Sequence, residues 1–181
     1  VTQLSIGQGS TLMTPMRLNM ITAAIANGGT VHKDQIIASV KTGTGSTLSE
    51  TKPEDYRTVM TSEVAAKMRE MMRDVIAEGT ATKLSSRPYN PCGKTGSAEI
   101  VTGESSSHAW FTGFAPEENP EIAITVIVEG AGTGGVSAVP VVRSVLDEYF
   151  SYTPAEGEDD DANYIMVGVD GTQTVADPSE S

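Results

Sequence analysis

Apolar residues recur at helical spacing in three stretches of this chain and at strand spacing in a block that precedes the last of them. Thr14-Pro15 supplies an N-cap side chain followed by a proline whose fixed φ and missing N–H suit the first helical position. Leu18, Ile21 and Ile25 then fall on one face until Asn27-Gly28-Gly29 stops the run, which predicts a helix over 15–27. A second helix, over 62–78, follows from the cap candidates Thr61 and Ser62, the stripe Val64, Met68, Met71, Met72, Val75 and Ile76, and the stop at Gly79. Four of the eight methionines lie between Met60 and Met72, and at helical spacing they read as core rather than as an adaptable binding groove. Between the helices, Ile36, Ile37 and Val40 suggest an extended piece that runs into a loop of Gly, Thr and Ser from Thr42 to Ser49.

From Cys92 the pattern changes. Segments Ser97 to Val101, Ala109 to Phe114 and Ile122 to Val128 have strand character, and turn residues at 102–104 and 116–120 separate them, so a three-stranded antiparallel meander is predicted. The run from Ile122 to Val128 is apolar at nearly every position, so both of its faces should be covered. Pro140 opens a further helix whose stripe Val141, Val142, Val145, Leu146, Tyr149 and Phe150 would pack on the sheet. Beyond it, Pro154 to Asp161 reads as an acidic linker, and Tyr164 to Val169 as one last short strand.

Charge sharpens this division. The chain carries 12 basic and 24 acidic residues for a net −12, and eight of the acids but none of the bases fall in residues 151–181. Residues 1–150 therefore read as one domain, or a large part of one, and 151–181 as an acidic tail. No basic cluster suited to phosphate neutralisation is present, which argues against nucleic-acid binding. No apolar run approaches the roughly 18 residues of a membrane span. The single cysteine, Cys92, has no partner for an intramolecular disulfide and lacks the spaced Cys and His of a zinc site. Neither a metal nor a cofactor is called for. Val1 in place of Met suggests an excised segment of a longer protein.

The most informative stretch is Gly93-Lys94-Thr95-Gly96-Ser97. A nucleotide-binding phosphate loop would need glycine where Pro88 stands and a helix after Thr95, where the sequence reads as strand. The alternative is a Lys-Thr-Gly motif on a strand bordering an active site. The same tripeptide occurs at Lys41, Thr42 and Gly43, but there it runs into a polar loop, so Lys41 reads as a solvated lysine. Cys92 with His108 is formally a thiol and a base, although a lone Cys before a strand reads as a packed residue. Trp110, Phe111 and Phe114 read as core and cleft lining, Glu99 and Glu104 as unpaired surface acids, and Gly132 to Gly135 as a turn near the cleft or a solvent loop.

Taken in order, Ile6-Gly7-Gln8-Gly9, Thr14-Pro15, Ile25-Ala26-Asn27-Gly28-Gly29, Glu78-Gly79-Thr80-Ala81, Gly93 to Glu99 and His108 to Pro116 resemble the C-terminal half of a penicillin-binding protein transpeptidase domain, particularly of class B. The likeness runs from about residue 4 to 150. It implies an α+β fold, a partial β-lactamase/transpeptidase-like arrangement in which a three-stranded antiparallel sheet packs against a C-terminal helix with additional helices. It also implies a serine D,D-transpeptidase that cross-links peptidoglycan stem peptides and binds β-lactams through an acyl-enzyme. Lys94 and Ser97 would then be catalytic. Thr95, Gly96 and Ser97 would bind substrate, the two hydroxyls holding its carboxylate and the Ser97 N–H serving as an oxyanion donor. Gly96 would let the substrate chain come close without a Cβ in the way.

Such enzymes carry their nucleophile in a Ser-x-x-Lys motif opening a helix upstream, followed by Ser-x-Asn. Only Ser49-Glu50-Thr51-Lys52 matches the first literally, directly before Pro53 in a polar segment, and it reads as coincidence. Positioning groups without a nucleophile form no acyl-enzyme, so the chain alone is expected to be inactive. The resemblance implies as partners the missing N-terminal half of the same domain, stem peptides and β-lactams, and a parent protein anchored by one N-terminal helix on the extracytoplasmic face of the bacterial membrane. The surface left for that half should be apolar. A non-catalytic binding or scaffolding module with the same fold is the alternative.

Overall fold

A computed structural model describes residues 12–100 and 107–154, together with the backbone of 165–167 and 173–175. Helix α1 (Pro15–Ala26) begins as expected, with Thr14 Oγ1 accepting from the Arg17 N–H at 3.3 Å. A small arm follows, made of β1 (Thr30–His32), β2 (Ser39–Lys41), β3 (Thr47–Glu50) and β4 (Asp55–Thr58). Its strands form two separate antiparallel pairs, β1 with β4 and β2 with β3. Helix α2 (Ser62–Ala77) is capped by Thr61, whose hydroxyl accepts from the Val64 N–H at 3.3 Å. After a 3₁₀ turn at Thr82–Leu84 come β5 (Cys92–Glu99), β6 (Ser107–Ala115) and β7 (Ile122–Val128), which form an antiparallel sheet in the order β5-β6-β7. A π-helical turn at Gly134–Ala138 leads into α3 (Val139–Tyr149).

The fold is the α+β arrangement read from the sequence, with corrections in how its elements bury themselves. In α1 the buried residues are Thr22, Ala24, Ile25 and Ala26, while the expected Ile21 is exposed. In α2 they are Ala65, Met72 and Ile76, with Val64 and Met71 outside. In α3, Val139, Val142 and Leu146 are buried and the expected Val141, Val145 and Tyr149 are exposed. Periodicity located each helix correctly but set its rotation off by about a residue, because several neighbouring apolar positions compete for one stripe. Strand β5 starts five residues before Ser97, so Lys-Thr-Gly lies within the strand. The arm's pairing of β1 with β4 was not foreseen: short polar strands such as Asp55–Thr58 carry no alternation to read.

Strand alternation places Cys92, Lys94, Thr112, Phe114, Ala123 and Thr125 on the sheet face that α1 and α2 cover. There Ile25, Ala26, Met72, Cys92 and Phe114 form a closed cluster, with Met60, Met68 and Ala123 packed against it, so three of the four methionines expected in the core join it. On the opposite face the Phe111 ring lies over the cross-strand pair Gly93 and Gly113. A Cβ at Gly93 would stand 2.2 Å from the ring's Cζ, and one at Gly113 would stand 2.3 Å from the Cys92 carbonyl oxygen. Glycine at both positions is the condition for Phe111 to lie flat on its own sheet.

A polar relay also crosses between α1 and the sheet. Leu18 O, Thr22, Thr112, Thr125 and the Asn19 amide are linked in succession at 3.0, 2.6, 2.7 and 3.1 Å. Three hydroxyls supply three protons for these four links. Thr22 donates to Leu18 O and Thr125 donates to Asn19 Oδ1, so the Thr112 proton serves one of its two hydroxyl neighbours. The relay satisfies the buried Thr22 and ties α1 to β6 and β7.

The chain divides into two compact units at Leu146 and Asp147. In the second, Tyr149 and Phe150 make an edge-to-face contact with centroids 4.9 Å apart, and the Tyr152 N–H donates to Asp147 O at 2.8 Å. The expected last strand appears as β8 (Ile165–Val167), paired antiparallel with an unforeseen β9 (Gln173–Val175). The acidic linker and the turn at 102–104 lie outside the described residues, as does Ile6-Gly7-Gln8-Gly9.

Candidate active site

Strand β5 is an edge strand: β6 occupies one side, and no strand among the described residues pairs with the other. A groove of about 630 Å³ runs beside it. Lys94, Thr95, Gly96 and Ser97 form one wall, Thr80, Thr82 and Lys83 the second, and Thr133 to Val136 the third. The strand thus brings together all four residues singled out in the sequence. Three segments distant in the chain meet there: the end of α2, the middle of β5 and the turn before α3.

Alternation separates the two side chains that matter most. Lys94 is exposed on the α1/α2 face, opposite Thr112, and its ammonium donates to Thr95 O at 2.7 Å. Thr95 points to the other face, is 92% buried, and shares a 2.5 Å hydrogen bond with Thr80 Oγ1. Ser97 follows on the Thr95 face and is exposed. Gly96 stands opposite Trp110, and a Cβ added to it would approach Trp110 Cβ at 3.3 Å, a tight but yielding contact.

The third wall needs its glycines. A Cβ at Gly134 would fall 2.2 Å from Trp110 O and 2.7 Å from Gly96 O, and one at Gly135 would fall 2.6 Å from Thr80 O. The turn therefore presses backbone to backbone on both other walls, and of the two readings of Gly132 to Gly135 the cleft is the one observed. Ser107 and His108 hold the approach to it. Ser107 Oγ donates to Gly132 O at 2.7 Å, the Gly132 N–H donates to Ser107 O at 3.0 Å, and the Gly130 N–H donates to His108 Nδ1 at 3.1 Å.

Electrostatics set the groove apart from the rest of the molecule. On a chain of net charge −12, its lining among the described residues holds two lysines and five hydroxyl side chains and no carboxylate. Such a lining attracts an anionic group and offers it hydrogen bonds. The remaining sequence candidates fall elsewhere. Cys92 is fully buried, and burial, reinforced by Glu117, pushes its thiol up to about 12, so it forms no thiolate nucleophile near neutral pH. Phe111 and Phe114 are core. Lys41 closes the exposed strand β2, and Ser49 lies in the exposed strand β3 with no helix after it. The phosphate-loop reading fails because Thr95 continues a strand and opens no helix. Sequence reasoning missed Thr80, Thr82 and Lys83 as lining; Thr80 lay within a family-like block, but nothing in its spacing tied it to Thr95.

An antiparallel sheet with helices on one face and a basic, hydroxyl-rich groove along its Lys-Thr-Gly edge strand defines a transpeptidase-type domain. The chain belongs to the penicillin binding protein transpeptidase domain family, which matches residues 1–147, and its relatives are of class B. It is 35% identical over 150 residues to the peptidoglycan D,D-transpeptidase PbpA of Mycolicibacterium smegmatis, covering 78% of this chain and 30% of that protein. It is 31% identical over 167 residues to the peptidoglycan D,D-transpeptidase MrdA of Haemophilus influenzae, covering 82% of this chain and 25% of that one. Among solved structures, the ceftriaxone acyl-enzyme complex of penicillin-binding protein A from Mycobacterium tuberculosis superposes with a TM-score of 0.73 at 32% identity, over 80% of this chain and 34% of that chain. The chain spans about a third or less of the length of these relatives.

Proposed function

We propose that this chain is the substrate-positioning part of a serine D,D-transpeptidase that joins peptidoglycan stem peptides and is acylated by β-lactams. The observation that carries the reading is the Lys-Thr-Gly strand with an edge that no described strand pairs with, facing a groove whose charged lining among the described residues is basic. A peptide ending in a D-alanyl carboxylate adds to that edge as an extra strand, its backbone pairing with β5. Its carboxylate lies near the Lys94 ammonium and accepts from the hydroxyls of Thr95 and Ser97. The Ser97 N–H then faces the scissile carbonyl as one of two oxyanion donors, a role worth on the order of 10² to 10³ in rate in other enzymes. The nucleophilic serine, its Ser-x-x-Lys lysine and the Ser-x-Asn residues come from the preceding part of the parent protein, so the isolated chain is inactive.

That preceding part is also the first partner. Leu12, Met13, Met16 and Ile21 around α1, with Val64 and Met71 of α2, present exposed apolar surface of the kind a missing half-domain would cover. Cross-linking takes place outside the cytoplasmic membrane, so we place the parent there, tethered by an N-terminal helix, with residues 1–150 as the domain portion and 151–181 as a tail. Fluorescent penicillin tests the assignment: stoichiometric covalent labelling of the full-length parent and none of the isolated chain is expected. Lys94→Ala in the parent should lower the second-order labelling constant roughly 10- to 100-fold, the range for one hydrogen bond to a charged group. A parent that labels no better than the isolated chain supports the non-catalytic scaffold instead.

A further inference from the structure

The link between Thr80 and Thr95 does more than close a wall of the groove. We infer that Thr80 is a positioning residue that orients the Thr95 hydroxyl for an incoming carboxylate; this rests on the transpeptidase reading above. The two Oγ1 atoms lie 2.5 Å apart, so one hydroxyl donates to the other. Each carries a single proton. A carboxylate is an acceptor only, so Thr95 can hold it only by donating its own proton, and Thr95 must then accept from Thr80. Were Thr95 to donate to Thr80, it would turn lone pairs toward a negative ligand.

Thr80 is built to stay in place. The Ala81 N–H, one residue on, donates to Val75 O at 3.2 Å and ties the segment to the end of α2. On its other side, Thr80 O backs on Gly135, where a Cβ would come within 2.6 Å. Thr95 is 92% buried, so its hydroxyl has little bulk water to orient it. Thr80 thus sets which way the strand's hydroxyl points, while making no demand on substrate contact of its own.

The test compares labelling of the full-length parent by a fluorescent penicillin and by its methyl ester, which lacks the anionic carboxylate. Thr80→Val, nearly isosteric but without the hydroxyl, should slow acylation by the free acid about 10-fold, the effect of one lost hydrogen bond to a group serving a charge. Labelling by the ester, whose neutral carbonyl still accepts a hydrogen bond from Thr95, should slow by a clearly smaller factor. Thr80→Ser should restore the acid rate. Thr95→Val should show the same selective loss, and adding Thr80→Val to it should cost nothing further, since both act through one proton. Equal slowing of acid and ester, additive losses, or a Thr80→Val protein that matches the unsubstituted one overturns the inference. Absence of labelling of the unsubstituted parent by either compound overturns the transpeptidase reading itself.

Discussion

The arm of β1 to β4 and the sheet of β5 to β7 are both antiparallel, yet they are held in opposite ways. In the arm, strands of three or four residues pair two by two, and β2, β3 and β4 are exposed at every position. Its side-chain links are at the surface: His32 Nδ1 lies 2.9 Å from the Asp55 carboxylate, and Lys33 pairs with Glu54. Exposed pairs of this kind contribute only about 0–1 kcal/mol each. In the sheet, strands of seven to nine residues enclose Phe111 and Phe114 on opposite faces, and glycines stand where a single methyl group would collide with an aromatic ring or a carbonyl. Substitution is expected to cost little in the arm and much in the sheet. The groove belongs to the second kind of structure, so its geometry inherits the sheet's rigidity.

The largest effect is expected at Gly93. Gly93→Val places a branched side chain inside the Phe111 ring, and a loss of more than about 4 kcal/mol is expected, read as failure to obtain folded protein. Normal urea denaturation of that variant would mean the glycine pair is not the sheet's constraint. Met72→Ala, which empties part of the cluster under Cys92 and Phe114, should destabilise by about 2–5 kcal/mol in urea with the slope unchanged.

Cys92 adds a pH signature confined to the sheet. Its folded pKa is raised from 9.0 to about 12, so the folded protein holds the thiol proton more tightly than the unfolded chain. The stabilisation is complete below pH 9 and declines as the pH rises from 9 towards 12, because the unfolded state ionises first. Cys92→Ala should flatten that alkaline decline in the urea midpoint; an identical pH profile in both proteins would remove the thiol as its source. At the small end, Leu48→Ser in the arm, at 69% exposure, should change stability by no more than about 0.5 kcal/mol. A larger loss would show that the arm packs on something.

Legibility in the sequence followed the same boundary. The helices were readable because Thr14-Pro15, Thr61 and Gly79 are local signals that act within one turn of chain. The meander was readable because long apolar strands with turn residues between them leave few other pairings, and Lys94 to Ser97 stood out because their order is itself a chemical pattern. Burial at the level of individual positions was less legible: Ile21, Val64 and Val145 look as apolar as their buried neighbours, and only the packed partner decides which is covered. The arm's register was not legible, since Asp55 to Thr58 carries no hydrophobic alternation.

What the sequence determined by itself, then, is the set of elements, their order, and the residues able to hold an anionic peptide terminus, since these depend on local backbone preferences and on chemistry each residue carries alone. That Thr80 meets Thr95, and that Gly134 and Gly135 wall the groove, emerges only once the chain is packed. Contacts across such chain separations follow from how α2, β5 and the turn before α3 pack, and no periodicity within any one of them encodes the others' positions.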